Sequence, residues 1–283
     1  MFNAQNKRVI VKIMSKAIVD LSVVSNLRLS DMYSCLILRD LSGDSELNAS
    51  ECANAAFDFN SVRPGQFVEV QIPNGATFLR RPISVNDVDA SRRELQLLVR
   101  NAGEGTSVLC NVSMGQKINV VMPLGNGFSL DKAGEKPLLV GGGVGVAPLL
   151  YLGKKLRDNG ICPTFLLAAK TEADLLQLAE FQMVGDVLLA TDDGSVGYHG
   201  LVTGHPALNQ EWDMIYCCGP MPMMKGIARI ANENNLSCEV SLENTMACGL
   251  GACLCCVEDT VDGHVCVCTE GPVFDIHRLK WFE

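Results

Sequence analysis

The sequence predicts a multi-domain protein of β plus α/β class: an antiparallel β-barrel, then a parallel sheet with covering helices, then a small cysteine-rich C-terminal segment. Three observations predict it. The first half carries short β-rich runs separated by turn residues, and the middle alternates strand with helix. Seven of the thirteen cysteines crowd between Cys238 and Cys268. A chain of 283 residues has room for two domains and an appendage.

Taken in order, Val9–Ile13, Tyr33–Leu38, Gln66–Ile72, Glu94–Arg100 and Lys117–Met122 are the expected barrel strands, and the polar stretch from Leu41 to Ser61 is an excursion between two of them. Beyond about residue 132 the rhythm changes. Leu138–Gly141, Thr164–Ala169, Asp186–Ala190 and Met214–Cys217 are expected strands, with helices over Pro148–Asn159, Asp174–Val184 and Pro222–Asn234. The expected division is 1–132, 133–236 and 237–283. The last segment has too few apolar residues for a core of its own, so bonds to a metal centre are the expected means of holding it together.

Apolar residues make up 48% of the chain and charged residues 19%, a composition that can pay for a packed core. The formal net charge of −9 repels phosphate backbones and anionic headgroups, so neither nucleic acid nor a membrane surface is an expected partner. The most membrane-like stretch, Pro137–Gly153, holds five glycines and two prolines and reads as strand, glycine loop and helix start rather than a bilayer span. Lys7, Arg8, Lys12 and Lys16 interrupt the start of the chain, where a secretory leader needs an apolar run, and a cytoplasmic protein is expected. That compartment keeps thiols reduced, so the cysteine cluster needs a chemical reason other than disulfides.

Gly141-Gly142-Gly143-Val144-Gly145-Val146-Ala147-Pro148 follows a strand and opens a helix, the context in which a backbone approaches a pyrophosphate at a helix N-terminus. Pro148 suits the first helical turn because its missing N–H has no intrahelical partner there. Proline departs from the last position of the G-x-G-x-x-G fingerprint, and Glu172 is the nearest ribose-binding acid, so NAD and NADP both stay open. Cys217-Cys218-Gly219-Pro220 ends a later strand of the same sheet, where ligands gather. The expected nicotinamide contacts are therefore Gly142, Gly143, Gly145, Pro148, Cys218, Gly219 and Pro220. In the first half, Arg80-Arg81-Pro82-Ile83-Ser84 at a strand end and Gly105-Thr106 in a turn offer a guanidinium fork, glycine N–H groups and hydroxyls to a second phosphate-bearing cofactor.

Cys248-x4-Cys253-x2-Cys256, with Cys268 eleven residues on, has the C-x4-C-x2-C…C spacing of plant-type [2Fe–2S] ligation. Cys253, Cys256, Cys266 and Cys268 would instead suit a structural zinc. Cys255 is surplus to both sets. Cys35, Cys52, Cys110 and Cys162 are expected to be buried small apolar residues. No histidine pairing or G-x-S-x-G element supports hydrolysis.

In this order the motifs resemble the ferredoxin–NADP reductase superfamily and, within it, the family of electron transfer subunits of dihydroorotate dehydrogenase B (NAD+). The stretches that carry the resemblance are RRPISV (80–85), GEGT (103–106), PLGNGF (123–128), GGGVGVAPLL (141–150), TDDGSVG (191–197), CCGPMPMMK (217–225), SLENTMACGLGACLCC (241–256) and VCTEGPVFD (267–275), spread over nearly the whole chain. The resemblance implies a flavin-binding antiparallel β-barrel, a parallel-sheet nicotinamide-binding domain and a C-terminal [2Fe-2S] segment. It implies FAD held by Arg81, Pro82, Ile83, Ser84, Leu98, Val99, Arg100, Gly105 and Thr106, and a [2Fe-2S] cluster held by Cys248, Cys253, Cys256 and Cys268. It further implies NAD as the nicotinamide cofactor and an FMN-containing catalytic subunit as partner, in a heterotetramer with two of each chain. The implied function is electron relay from that subunit through [2Fe-2S] and FAD to NAD+ in de novo pyrimidine (UMP) biosynthesis. An NAD(P)H:ferredoxin-type oxidoreductase, a hydrogenase flavin subunit with the same cofactors, and a zinc-stabilised binding or sensor module stand as alternatives.

Overall fold

The computed structural model describes residues 16–41, 57–75 and 77–282. The expected strand Val9–Ile13, Cys52 and most of the 41–61 excursion lie outside the described residues. Six antiparallel strands, β1 (Ala17–Arg28), β2 (Tyr33–Arg39), β3 (Phe67–Val70), β4 (Arg81–Asp89), β5 (Glu94–Arg100) and β6 (Lys117–Leu124), close a barrel in the order β1-β2-β5-β4-β3-β6. Closure leaves no edge strand to template other chains. Leu21, Leu36, Val68, Val85, Leu97 and Val120 fill its interior.

Two of these strands were not among the expected ones. β1 mixes polar and apolar residues along both faces at its ends, and β4 opens on Arg-Pro, which reads as the end of a strand. Arg81–Ser84 in fact begin β4, where Pro82 is tolerated because it stands at the start of the strand. Gly105 and Thr106, expected in a turn, belong to the first turn of a short helix, α1 (Glu104–Cys110).

The second sheet is parallel but for one edge. β7 (Pro137–Gly142), β8 (Thr164–Ala169), β9 (Asp186–Thr191), β10 (Tyr198–His199), β11 (Met214–Cys218), β12 (Ser237–Ser241) and β15 (Val273–Asp275) lie in the order β10-β9-β8-β7-β11-β12-β15, with β15 antiparallel to β12. Leu139, Phe165, Leu167 and Tyr216 point to the face covered by α2 (Ala147–Asp158) and α3 (Leu178–Val184). Leu138, Val140, Leu166 and Ile215 point to the face covered by α4 (Met221–Glu233). This two-sided burial is why the strands read as near-continuous apolar runs. α3 starts four residues later than expected, because Glu172–Asp174 form a separate 3-10 turn and Gln177 sits in the left-handed region at φ 53°.

The cysteine-rich stretch adds a hairpin of β13 (Val257–Thr260) and β14 (Gly263–Cys266) and a single turn, α5 (Val267–Glu270). Its two ends are the sheet strands β12 and β15, and Cys256, Val267, Cys268 and Phe274 share one core with barrel residues Phe67 and Leu124 and sheet residues Leu138 and Val140. The barrel and sheet are themselves joined through Asn86. Its side-chain N–H donates to the Ala147 carbonyl at 2.9 Å and to Gln177 Oε1 at 3.1 Å, and its Oδ1 accepts from Gln96 and Gln177. The Tyr151 hydroxyl donates to the Val62 carbonyl at 3.0 Å, and Lys154 pairs with Asp87. Among the described residues no helix is long and apolar enough to cross a membrane.

Candidate functional site

Three adjoining sets of residues make up the site. The first lies at the carboxyl ends of β7 and β11, where the strand order reverses: β8 and β9 extend the sheet from one side of β7, and β11 and β12 from the other. Open α/β sheets bind ligands at such a switch point. The expected nicotinamide residues converge there. Gly141 pairs with Cys218 across the two strands, and a Cβ on Gly145 would lie 2.5 Å from the Cys218 carbonyl oxygen. A Cβ on Gly142 would lie 2.6 Å from Met223 Sδ, and Gly143 takes φ +56°. Pro148 stands in the first turn of α2 as expected, and Pro220 immediately precedes α4. Burial holds the Cys218 thiol well above its usual range, with Glu243 pushing the same way and Ser241 opposing, so this cysteine is a neutral wall and not a nucleophile. Glu243 lies within electrostatic reach of both Cys218 and Arg100, a link between sheet and barrel that the sequence reading missed.

The second set lies on the barrel. β4 pairs with β3 over Arg81–Ser84 and with β5 only from Val85 onward. Beyond the Val85–Leu97 pair the two strands part, so the backbones of Arg81–Ser84 and Leu98–Arg100 have no ladder to each other. Backbone polar groups in that position need partners. Leu98 and Val99 are buried, Leu98 against the sheet domain and Val99 inside the barrel, so both can offer a ligand only their backbone. The two arginines differ. Arg80 is bound into the barrel by the Asn119 carbonyl and side chain and by the Glu69 carbonyl, whereas Arg81 lies over α1, with its Nε 2.9 Å from where a Cβ on Gly105 would stand. Arg81 donates to the carbonyls of Leu79 and Arg80 through Nη1. The Thr106 hydroxyl, expected to serve a phosphate, accepts from the N–H groups of Ala102 and Gly103 and donates to the Gly103 carbonyl, so it shapes the loop.

The third set is the cysteine loop. Gly249 (φ +66°) and Gly251 (φ +82°) allow the chain to curl between Cys248 and Cys253, and Leu254 also takes a left-handed conformation. Sulfur accepts backbone N–H at three cysteines: Leu250 N to Cys248 Sγ at 3.3 Å, Gly251 N to Cys268 Sγ at 3.1 Å and Cys268 N to Cys256 Sγ at 3.4 Å. Thiolates bound to iron take such donors. Cys266 does the reverse, with Sγ directed at the Gly251 carbonyl at 3.9 Å, an arrangement suited to a protonated thiol. Burial raises the Cys248 thiol, but N–H groups of Leu250, Cys253 and Ala252 outweigh it and bring the group down to about 6. Cys256 and Cys268 are buried, and Cys253 and Cys255 are exposed, so the loop has one sealed and one open side. Cys162, expected to be buried, is also exposed. The donor set fits iron–sulfur ligation, the parted strands fit a flavin, and the β7–β11 cleft fits a nicotinamide.

Comparison with known proteins agrees with this geometry. The chain is 40% identical over 233 residues to the dihydroorotate dehydrogenase B (NAD(+)) electron transfer subunit of Caldanaerobacter subterraneus subsp. tengcongensis, covering 80% of this chain and 91% of that one. The chain belongs to this family. The Shouchella clausii subunit of the same name is 39% identical over 227 residues, covering 77% and 86% of the two chains. The family described as the iron-sulfur cluster binding domain of dihydroorotate dehydrogenase B matches residues 243–280. Among solved structures, one described as NADH-dependent reduced ferredoxin-NADP oxidoreductase, studied for flavin-based electron bifurcation, superposes with TM-score 0.79 at 28% identity and covers 92% of this chain and 90% of that one. Amycolatopsis cytochrome P450 reductase GcoB shares the fold at TM-score 0.62 and 18% identity, over 78% of this chain and 67% of that one.

Proposed function

We propose that this chain carries electrons from a separate FMN-bearing dihydroorotate dehydrogenase subunit, by way of a [2Fe-2S] site and an FAD site, to NAD+. The observation that carries the reading is the cysteine loop: three of its four proposed ligand sulfurs accept backbone N–H, and the loop packs directly on the barrel wall. Cys248, Cys253, Cys256 and Cys268 would hold the cluster. Arg81 would meet the FAD phosphates, and the freed backbones of Pro82, Ile83, Ser84, Leu98, Val99 and Arg100 would hold the flavin ring, with Gly105 giving close approach and Thr106 fixing the loop. Gly142, Gly143, Gly145 and Pro148 would cradle the dinucleotide, and Cys218, Gly219 and Pro220 would wall the nicotinamide end.

When bound, the flavin supplies conversion between two-electron hydride chemistry and the one-electron chemistry of iron–sulfur. The chain's own residues set positions. Neutral Cys218 excludes water from the cleft without reacting, Asn86 locks the glycine loop to the barrel, and the exposed Cys253 side gives electrons a way in. Division into 1–132, 133–236 and 237–283 follows these three tasks, although the sheet draws β12 and β15 from the third span. The reading places the protein in the cytoplasm, in a heterotetramer of two chains of each kind.

The structural likeness to a ferredoxin-NADP oxidoreductase favours one second reading, the same cofactors serving a ferredoxin-type partner. The test is the visible spectrum of anaerobically purified protein, with iron, zinc, sulfide and flavin assayed on the same sample. About two irons and one FAD per chain, bleached by NADH, are expected. Zinc without flavin would overturn the reading, and co-purification with an FMN protein active on dihydroorotate separates the two partner assignments.

A further inference from the structure

Glu69 on β3 is 1% exposed, and neither of its carboxyl oxygens has a hydrogen-bond partner among the described residues. Native structures rarely leave a buried carboxyl in that state. Successive residues of a strand face opposite ways, so Val68 and Val70 fill the barrel while Phe67 and Glu69 face out of it. Phe67 packs in one core with Leu124, Cys256 and Cys268. Gly249 lies on Glu69 itself: a Cβ there would stand 2.7 Å from Glu69 Cγ and 3.1 Å from Oε1. Burial pushes the Glu69 carboxyl up to about 7, with the Arg80 and Arg81 charges opposing and Cys248 adding to the rise.

We propose that Glu69 is a positioning residue for electron transfer: its carboxyl, buried under Gly249, the residue next to Cys248, places a negative charge beside the cluster site and lowers the cluster's reduction potential. The inference rests on the proposed reading that these cysteines hold a [2Fe-2S] cluster. Each electron arriving from the catalytic subunit adds one negative charge at the cysteines, and repulsion from the carboxylate favours passing that electron on to the flavin. A unit charge at roughly 10 Å in an effective dielectric of about 20 changes such an equilibrium by about tenfold.

The test is a redox titration at pH 8.5 of the FAD- and cluster-loaded protein, followed by EPR of the reduced cluster, for wild type, Glu69→Gln, Glu69→Leu and Glu69→Asp. Both neutral variants are expected to raise the midpoint potential, increasing the ratio of reduced to oxidised cluster at fixed poise by about tenfold, or about 59 mV for one electron. Glu69→Asp keeps the charge and is expected to stay near wild type. An unchanged potential in either neutral variant that retains wild-type iron and flavin would overturn the proposal, as would Glu69→Asp shifting as far as Glu69→Gln. Wild-type protein without iron or without bleaching by NADH would instead defeat the cofactor reading beneath it.

Discussion

Replacing Asn86 by alanine should separate the two domains energetically before it unfolds either. The Asn86 amide is fully buried and makes four hydrogen bonds, which join β4 to the start of α2, to Gln177 and to Gln96. Truncation orphans the Ala147 carbonyl, both ends of the Gln177 amide and one donor of Gln96. At about 1 kcal/mol for each group left unpaired, the loss comes to roughly 3–4 kcal/mol. The assay is urea unfolding of FAD-loaded protein, read by tryptophan and by flavin fluorescence. Trp212 and Trp281 both pack on the core behind the parallel sheet, whereas the proposed flavin contacts lie mainly on the barrel, so the two signals report different domains. With urea slopes of about 1–3 kcal/mol per molar, the midpoint should fall by roughly 1 M or more. The two transitions should coincide in wild type and part in the variant. A shift below about 0.3 M, or transitions that stay coincident, would refute the view that this amide couples the domains.

Cys268→Ser should lose the visible iron–sulfur bands and most of the iron, whereas Cys266→Ser should keep both, because of these two cysteines Cys268 is the one that receives an N–H at sulfur; iron assay and spectrum decide it. Gly145→Ala should lower kcat/KM for NADH-driven dye reduction by about 5- to 150-fold, the equivalent of roughly 1–3 kcal/mol of overpacking against the Cys218 backbone, while leaving FAD content unchanged. The Glu69 carboxyl also predicts a pH dependence. Its folded value of about 7 lies above the ordinary 4.5, so the folded state binds the extra proton and stability falls as pH rises from about 4.5 through 7. Denaturation midpoints should therefore show Glu69→Gln gaining on wild type between pH 5 and pH 8 by an amount on the order of 3 kcal/mol; an equal difference at both pH values would contradict this.

Much of the fold was legible because local pattern and tertiary role agreed. Glu94–Arg100 and Thr164–Ala169 are strands with the expected bounds, since β-rich residues there fall between turn signals. β4 was hidden because its first two residues, Arg81 and Pro82, carry no strand signal. Spacing admits both an iron–sulfur set ending at Cys268 and a zinc set that uses Cys266 as well, and the burial of Cys268 together with the opposite hydrogen-bond directions at the two sulfurs favours the first. Glu69 was invisible for a different reason. In the run Phe67-Val68-Glu69-Val70 a carboxylate reads as the solvated side of a strand, and what buries it is Gly249, 180 residues further along the chain. The junction through Asn86 and Gln177 is likewise assembled from residues far apart in sequence, each an ordinary polar side chain by itself.

β12 and β15 lie side by side and antiparallel, with Ser241 opposite Val273. Topologically they are the two arms of a hairpin, and residues 242–272, which include all four cysteines proposed to hold the cluster, take the place of its turn. A hairpin needs only two to five connecting residues. Excision of this stretch and closure by Asn-Gly would therefore leave every remaining strand in its present neighbourhood, with no crossover to re-thread. On that geometry a reductase can gain or lose an entire redox station through one insertion or deletion at a sheet edge, the kind of change a parallel crossover between the same strands would not permit.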